Sequence, residues 1–210
     1  MKTVRSLIFL SLVIILSGCA SLQTGSEFDA GRQALLKGYN QPALDYFQSV
    51  AQRDPNYVYN SPLQENVWSY LGRTEYINGR LPQARQSLEK SLSIDKDQDT
   101  ARLYLGLTLA RSGDRQQGLK EIESGMRGIH DWLEYISQAF RYSYGRFWDP
   151  NREIRSAIQG DLAMLSGKDV DMQKLIADGE WLGKRVEEEI DLARRDERED
   201  RFRDGSARQP

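Results

Sequence analysis

A 34-residue period runs through the middle of this 210-residue chain and dictates most of its architecture. Gly72 and Gly106 lie 34 apart, as do Leu71 and Leu105, Gly79 and Gly113, Ala84 and Gly118, and Leu88 and Ile122. Five pairs of matching character at one spacing define a repeating unit. Carried backward, the template falls on Gly31, Gly38, Ala43 and Phe47 and closes at Asp54-Pro55, displaced by an insertion of seven residues near 58–64. Three units follow, at about 24–57, 65–98 and 99–132. Apolar residues recur at three- and four-residue spacing, as in Leu81-Ala84-Leu88-Leu92, which predicts two short amphipathic helices per unit. Gly72, Gly106 and Ala84 fall where the two helices must approach closely. Gly79 and Gly113, after Asn78 and Ser112, suit the turn between them, because glycine takes positive φ without steric cost. A helix pair cannot bury its apolar face alone, so neighbouring pairs must stack. The expected fold class is all-α.

The second unit reads Trp68-Ser69-Tyr70-Leu71-Gly72, then Gly79, Ala84 and Leu88. This resembles the tetratricopeptide (TPR) pattern W-x2-L-G followed by A-x3-F, with Leu88 at the large apolar site. The Tyr expected three residues after the Gly is Glu75, with Tyr76 beside it. The resemblance implies a short right-handed α-solenoid of about three helix pairs with extra C-terminal capping helices. It also implies a concave face lined by the first helix of each pair. On this chain that face holds Arg32 and Leu35, then Ser69, Arg73, Tyr76 and Ile77, then Leu103, Leu107 and Arg111. The candidate partner-binding residues are Arg32, Arg73, Tyr76, Leu107 and Arg111, with the arginines placed to pair with a partner's carboxylates. The carboxylate-clamp subfamily has Asn at a position held here by Arg32, Arg73 and Leu107, so C-terminal peptide capture is not carried over. Charge reversal at Arg73 and Arg111 is expected to weaken partner capture and leave the thermal midpoint in place.

Residues 1–18 read as an address. Lys2 and Arg5 precede an apolar run of about ten residues, too short to span roughly 30 Å of hydrocarbon but of the size of a secretory h-region. It ends in Leu16-Ser17-Gly18-Cys19, where the chain's one Cys stands. This resembles the lipobox of bacterial lipoproteins, which implies cleavage before Cys19 and acyl chains on its thiol. Two chains suffice for stable anchoring where one is marginal. Ala20, in place of Asp, points to the outer membrane, with the body facing the periplasm. Residues 19–26 are expected to be a flexible tether.

Beyond 132 the repeat is lost. Trp132, Phe140, Tyr144 and Trp148 sit in an aromatic-rich stretch that is either core or a hydrophobic groove for a partner helix or peptide. Asp149-Pro150 reads as an N-cap followed by the first helical residue. A final apolar stripe runs from Met172 to Ala193 through Asp178-Gly179, where a break is expected. Residues 133–193 are assigned to a degenerate helix pair plus a closing helix, and 194–210 to a charged tail that frays.

Composition closes off several chemistries. One Cys and one His cannot build a Cys-based zinc site or a multi-His metal centre, and 29 basic against 31 acidic side chains offer no general attraction to nucleic acid. His130 closes the third unit, where a helix-terminal or loop role is expected, and Glu187-Glu188-Glu189 is read as a solvated face. No metal and no cofactor other than lipid on Cys19 is expected. The functional expectation is a lipid-anchored TPR adaptor that binds envelope proteins through its groove and the membrane through its anchor. The alternatives are a carrier of an apolar ligand in the aromatic pocket, or a subunit of an envelope hydrolase using Glu180 or Glu187.

Overall fold

Each repeat folds as a helix pair closed by a glycine turn in the computed structural model of the chain, which describes residues 23–167 and 169–206. The pairs are α1 (residues 23–36) with α2 (Asn40–Arg53), α3 (Val67–Ile77) with α4 (Leu81–Ile94), and α5 (Asp99–Arg111) with α6 (Arg115–Ala139). A short 3-10 turn (Tyr144–Phe147), α7 (Glu153–Leu165) and α8 (Met172–Ser206) complete the chain. The fold is all-α and repeat-like. Among the described residues the one β pairing is an isolated bridge between Val58 and Asn66.

The three units share their local geometry. Gly38, Gly79 and Gly113 have φ of 76°, 75° and 96°. In each turn the glycine N–H donates to the carbonyl three residues back and the next N–H to the carbonyl five back: Tyr39 to Ala34, Arg80 to Glu75, Asp114 to Leu109. This double closure satisfies carbonyls that the ending helix would otherwise leave unpaired. Close approach recurs in register too. A Cβ on Gly31 would meet Phe47 at 2.9 Å, and one on Gly72 would meet Leu88 at 2.5 Å. One on Gly106 would strike the backbone nitrogen of Ile122. In all three units the helices touch across sixteen residues of sequence.

The insertion between units one and two folds back on itself, with Tyr59 N–H donating to Glu65 O at 2.8 Å and Val67 N–H to Tyr57 O at 2.9 Å. This tucks Tyr59 into the core, its ring stacked 5.1 Å from that of Phe28.

The structure departs from the expected boundaries in five places. Residues 23–26, assigned to the tether, already belong to α1. The third unit does not stop at 132, because α6 runs on to Ala139. Asp149 does cap α7, but not as its N-cap. It turns with φ 44°, and its carboxylate reaches forward to accept from the N–H groups of Ile154 (3.0 Å) and Arg155 (3.1 Å), so the helix opens at Glu153 and Pro150 lies in the turn. No break occurs at Asp178-Gly179. Helix α8 is continuous, and Gly179 instead lets it approach Leu107 and Leu103 of α5. Finally, α8 continues through 194–206, so most of the segment assigned to a frayed tail is helical.

Candidate functional site

The first helices of the three units share one face, and it is occupied by the chain itself. Helix α8 lies along it, running from the third unit toward the first. Glycines at positions 179 and 183 make the close approach possible: a Cβ on Gly179 would meet Leu107 at 2.8 Å, and one on Gly183 would overlap the Tyr104 ring.

Charge fixes the register. Glu187 is 1% exposed, and its two carboxylate oxygens accept from Arg32 Nε and Arg73 Nη2, both at 2.5 Å. Arg32 and Arg73 are themselves 3% and 2% exposed. Arg32 also donates to Asp191 Oδ1 at 3.1 Å and to the Tyr59 hydroxyl at 2.6 Å. Arg194 reaches the same hydroxyl and the carbonyl of Asn60, so the insertion receives the far half of α8. At the near half, Tyr76 Oη donates to Glu180 Oε1 at 2.6 Å, and Arg111 Nη1 approaches that oxygen at 3.5 Å.

Burial pushes the Glu187 carboxyl up, but Arg73 and Arg32 together pull it below its ordinary range. Glu187 is thus held as an anion between two cations and is not poised to donate a proton. Burial also raises the phenols around it, Tyr70 well above its usual value and Tyr104 to about 12. Arg73 Nη1, Glu65 Oε2 and the Tyr70 hydroxyl are buried without a hydrogen-bond partner among the described residues.

Arg32, Arg73, Tyr76 and Leu107 are therefore core residues beneath α8, and Arg111 alone among the five stays exposed. The acids expected from a partner are supplied in cis by Glu180, Glu187 and Asp191. Glu187 and Glu189 are not part of a solvated face. Two positions apart on a helix they point to nearly opposite sides, and both sides are covered. Glu187 faces the repeats, while Glu189 accepts from the Asp149 N–H (2.5 Å) and pairs with Arg185 (2.9 Å) on the α7 side.

Part of the face stays open. A cleft of about 440 Å³ lies between the end of α1, the wall and α8, bounded by Leu35, Lys37, Tyr76, Ile77, Arg111 and Lys184 among others. Its size suits a small ligand or the end of a peptide.

The aromatic stretch packs on itself. Trp148 is buried with its ring edge-on to Trp132 at 4.8 Å, and Phe140 stacks on Tyr144 at 4.7 Å. The crevice between Trp132 and Trp148 has no room even for water. These four residues serve as packing for the cap. His130 lies inside α6, not at a helix end, with Nδ1 3.2 Å from Asp131 and Nε2 3.1 Å from Gln159. Neither neighbour is a hydroxyl or thiol that the imidazole could activate. Among the described residues no group of three or more His, Cys, Asp or Glu is arranged to hold a metal ion.

No protein-family model matches the chain, and no solved structure matches it significantly. Cys19 and the rest of the predicted signal and lipobox lie outside the described residues. None of the described helices is long and apolar enough to cross a membrane.

Sequence reasoning missed Asp191, Tyr59 and Arg194, and placed Glu187 on a solvated face where it is buried. The available signal was Gly179 and Gly183, four apart within the apolar stripe of α8. Small residues so placed mark a close helix contact as readily as a break.

Proposed function

We propose that the chain is a lipid-anchored adaptor of the bacterial cell envelope: a TPR-type repeat lipoprotein, acylated on Cys19 and held at the outer membrane facing the periplasm, which recruits other proteins and has no catalytic role. The observation that carries this reading is the repeat wall itself. It is a surface built to receive a helix, and it already holds an acidic one through Arg32, Arg73 and Arg111. Helix-in-groove recognition is a common mode of protein recruitment. With α8 in place, the partner engages the cleft that remains, where Lys37, Arg111 and Lys184 stand at the surface.

The test is photo-crosslinking in intact cells from a benzophenone residue at position 37 or 77. Capture of a discrete envelope protein, weakened by Lys184→Glu with the thermal midpoint unchanged, supports the adaptor. Turnover of a substrate by the purified chain, lost in Glu180→Gln, would replace it. For the anchor, Cys19→Ala is expected to accumulate as unprocessed precursor without lipid label. Normal processing of that variant would remove the lipoprotein reading.

A further inference from the structure

The end of the repeat stack at which residue 23 enters is also the end that presents most of the large exposed apolar side chains among the described residues. Contacts fix what lies there. Glu27 near the start of α1 pairs with Arg53 at the end of α2 at 2.8 Å, and Trp68 Nε1 at the start of α3 donates to Pro55 O at 2.7 Å. Asn66 Nδ2 donates to Ser91 O in the last turn of α4 at 3.3 Å, and Gln98, just before α5, donates to Gln64 O at 3.2 Å. Val58 and Ile94 are exposed at this end.

Helix α6 goes further. It begins 34 residues after α4 yet has 25 residues against 14, so its last eleven project past the end where α2 and α4 stop. That overhang is roughly 16 Å of helix. It carries Tyr135, 63% exposed, and leads into Tyr142, 85% exposed with Arg141 over its ring at 4.6 Å. The last turns of α8, which bear the exposed Phe202, pass the same end, tied to the 3-10 turn by Arg146 and Asp200. Among the described residues, five of the eight large exposed apolar side chains (Val58, Ile94, Tyr135, Tyr142 and Phe202) gather here. Tyrosine, with an apolar ring and a polar tip, is suited to the headgroup layer of a bilayer.

Cys19 stands four residues before position 23, a stretch of chain that spans at most about 14 Å when extended. The overhang and the tether therefore have the same reach. We propose that this end is a membrane-contacting face: with Cys19 inserted, the α6 overhang and the loops bearing Val58 and Ile94 rest on the lipid surface, and the repeat helices stand off it. The cleft, bounded by Lys37, Gly38 and Asn40 of the α1–α2 turn, then opens at the opposite end, away from the bilayer. This orientation rests on the lipid-anchor reading above.

The experiment uses the full chain, acylated in cells and placed in vesicles of phosphatidylethanolamine and phosphatidylglycerol. Acylation consumes the one native thiol, so Tyr142→Cys, Ile94→Cys and Tyr39→Cys each give a single site for an environment-sensitive fluorophore. Spin-labelled lipid is expected to quench positions 142 and 94 by about twofold or more, as for a group in the headgroup layer, and to leave position 39 unquenched. Tyr135→Asp with Tyr142→Asp is expected to reduce quenching at 94 while the thermal midpoint holds. Equal quenching at 39 and 142, or none at 142 in protein whose mass shows the acyl chains, overturns the orientation alone. A mass without acyl chains overturns the anchor and the orientation together.

Discussion

Two kinds of helix contact hold this molecule together, and they follow opposite rules. Inside a repeat, helices meet through a glycine pressed on a large apolar side chain sixteen residues away, with Gly72 against Leu88 and Gly106 against Ile122. Between the repeats and α8, the glycines recur but the centre of the contact is ionic, with Glu187 shared by Arg32 and Arg73 far from solvent. The first kind supplies adhesion through close fit, at a spacing set within each unit. The second contributes little net stability, because desolvating three charges offsets their attraction, and its effect is to admit one arrangement and reject the others. The repeats are held by shape, and α8 by matched charge.

The largest expected loss comes from the shape contact. Gly106→Leu drives a side chain into the backbone of α6 and should cost about 5 kcal/mol or more, enough to unfold the chain in urea titration. A mild effect would mean the helices can separate. Next, Glu187→Ala leaves two guanidinium groups buried beside each other and should cost about 3–5 kcal/mol, whereas replacing the triad together, Arg32→Met, Arg73→Met and Glu187→Leu, should recover most of it. The same reasoning removes the expectation that charge reversal at Arg73 spares stability, since that residue is buried against Glu187. A triple variant as unstable as the single one would show the charges to be adhesive after all.

Acid titration separates the two sides of α8. On the wall side the Glu187 carboxyl is depressed in the folded state, so its contribution is complete above the unfolded carboxylate value and is lost as pH falls through the folded one. On the cap side, Asp161 of α7 is raised to about 6, first by burial and then by Asp178 of α8. The folded state there prefers the proton, so this site costs stability at pH 7 and the cost disappears as pH falls below about 4. Asp161→Asn is therefore expected to stabilise by about 1–2 kcal/mol at pH 7 and not at pH 4, read from urea midpoints. At the small end, Arg85→Ala removes an exposed pair with Glu89 within α4 and should leave the thermal midpoint where it is.

The difference between the contacts also explains what could be read from the chain. Units, turns and close approaches were legible because each is encoded within about 34 residues: Gly72 and Leu88 betray their contact by spacing alone. The occupancy of the face formed by the first helices was not, because Arg32 and Glu187 are 155 residues apart and neither is unusual in its own neighbourhood. Three consecutive glutamates look solvated from sequence, and burial of two of them requires a helix covered on both sides. Arg32, Arg73 and Arg111 all meet α8, but nothing in their local sequence shows that their acids lie further along the same chain. Asp149 shows the same limit on a small scale, since its carboxylate caps a helix opening four residues beyond it.

Because Glu180 answers the third and second units, Glu187 the second and first, and Asp191 the first, α8 acts as a ruler laid across the stack. An ordinary solenoid can gain or lose a unit by duplication or deletion, since each unit meets only its neighbours. Here a unit inserted between the first and the third would part the acids of α8 from the partners that lie beyond the insertion. The number of repeats between its two ends is thus matched to the length of the last helix, and the body has a fixed size.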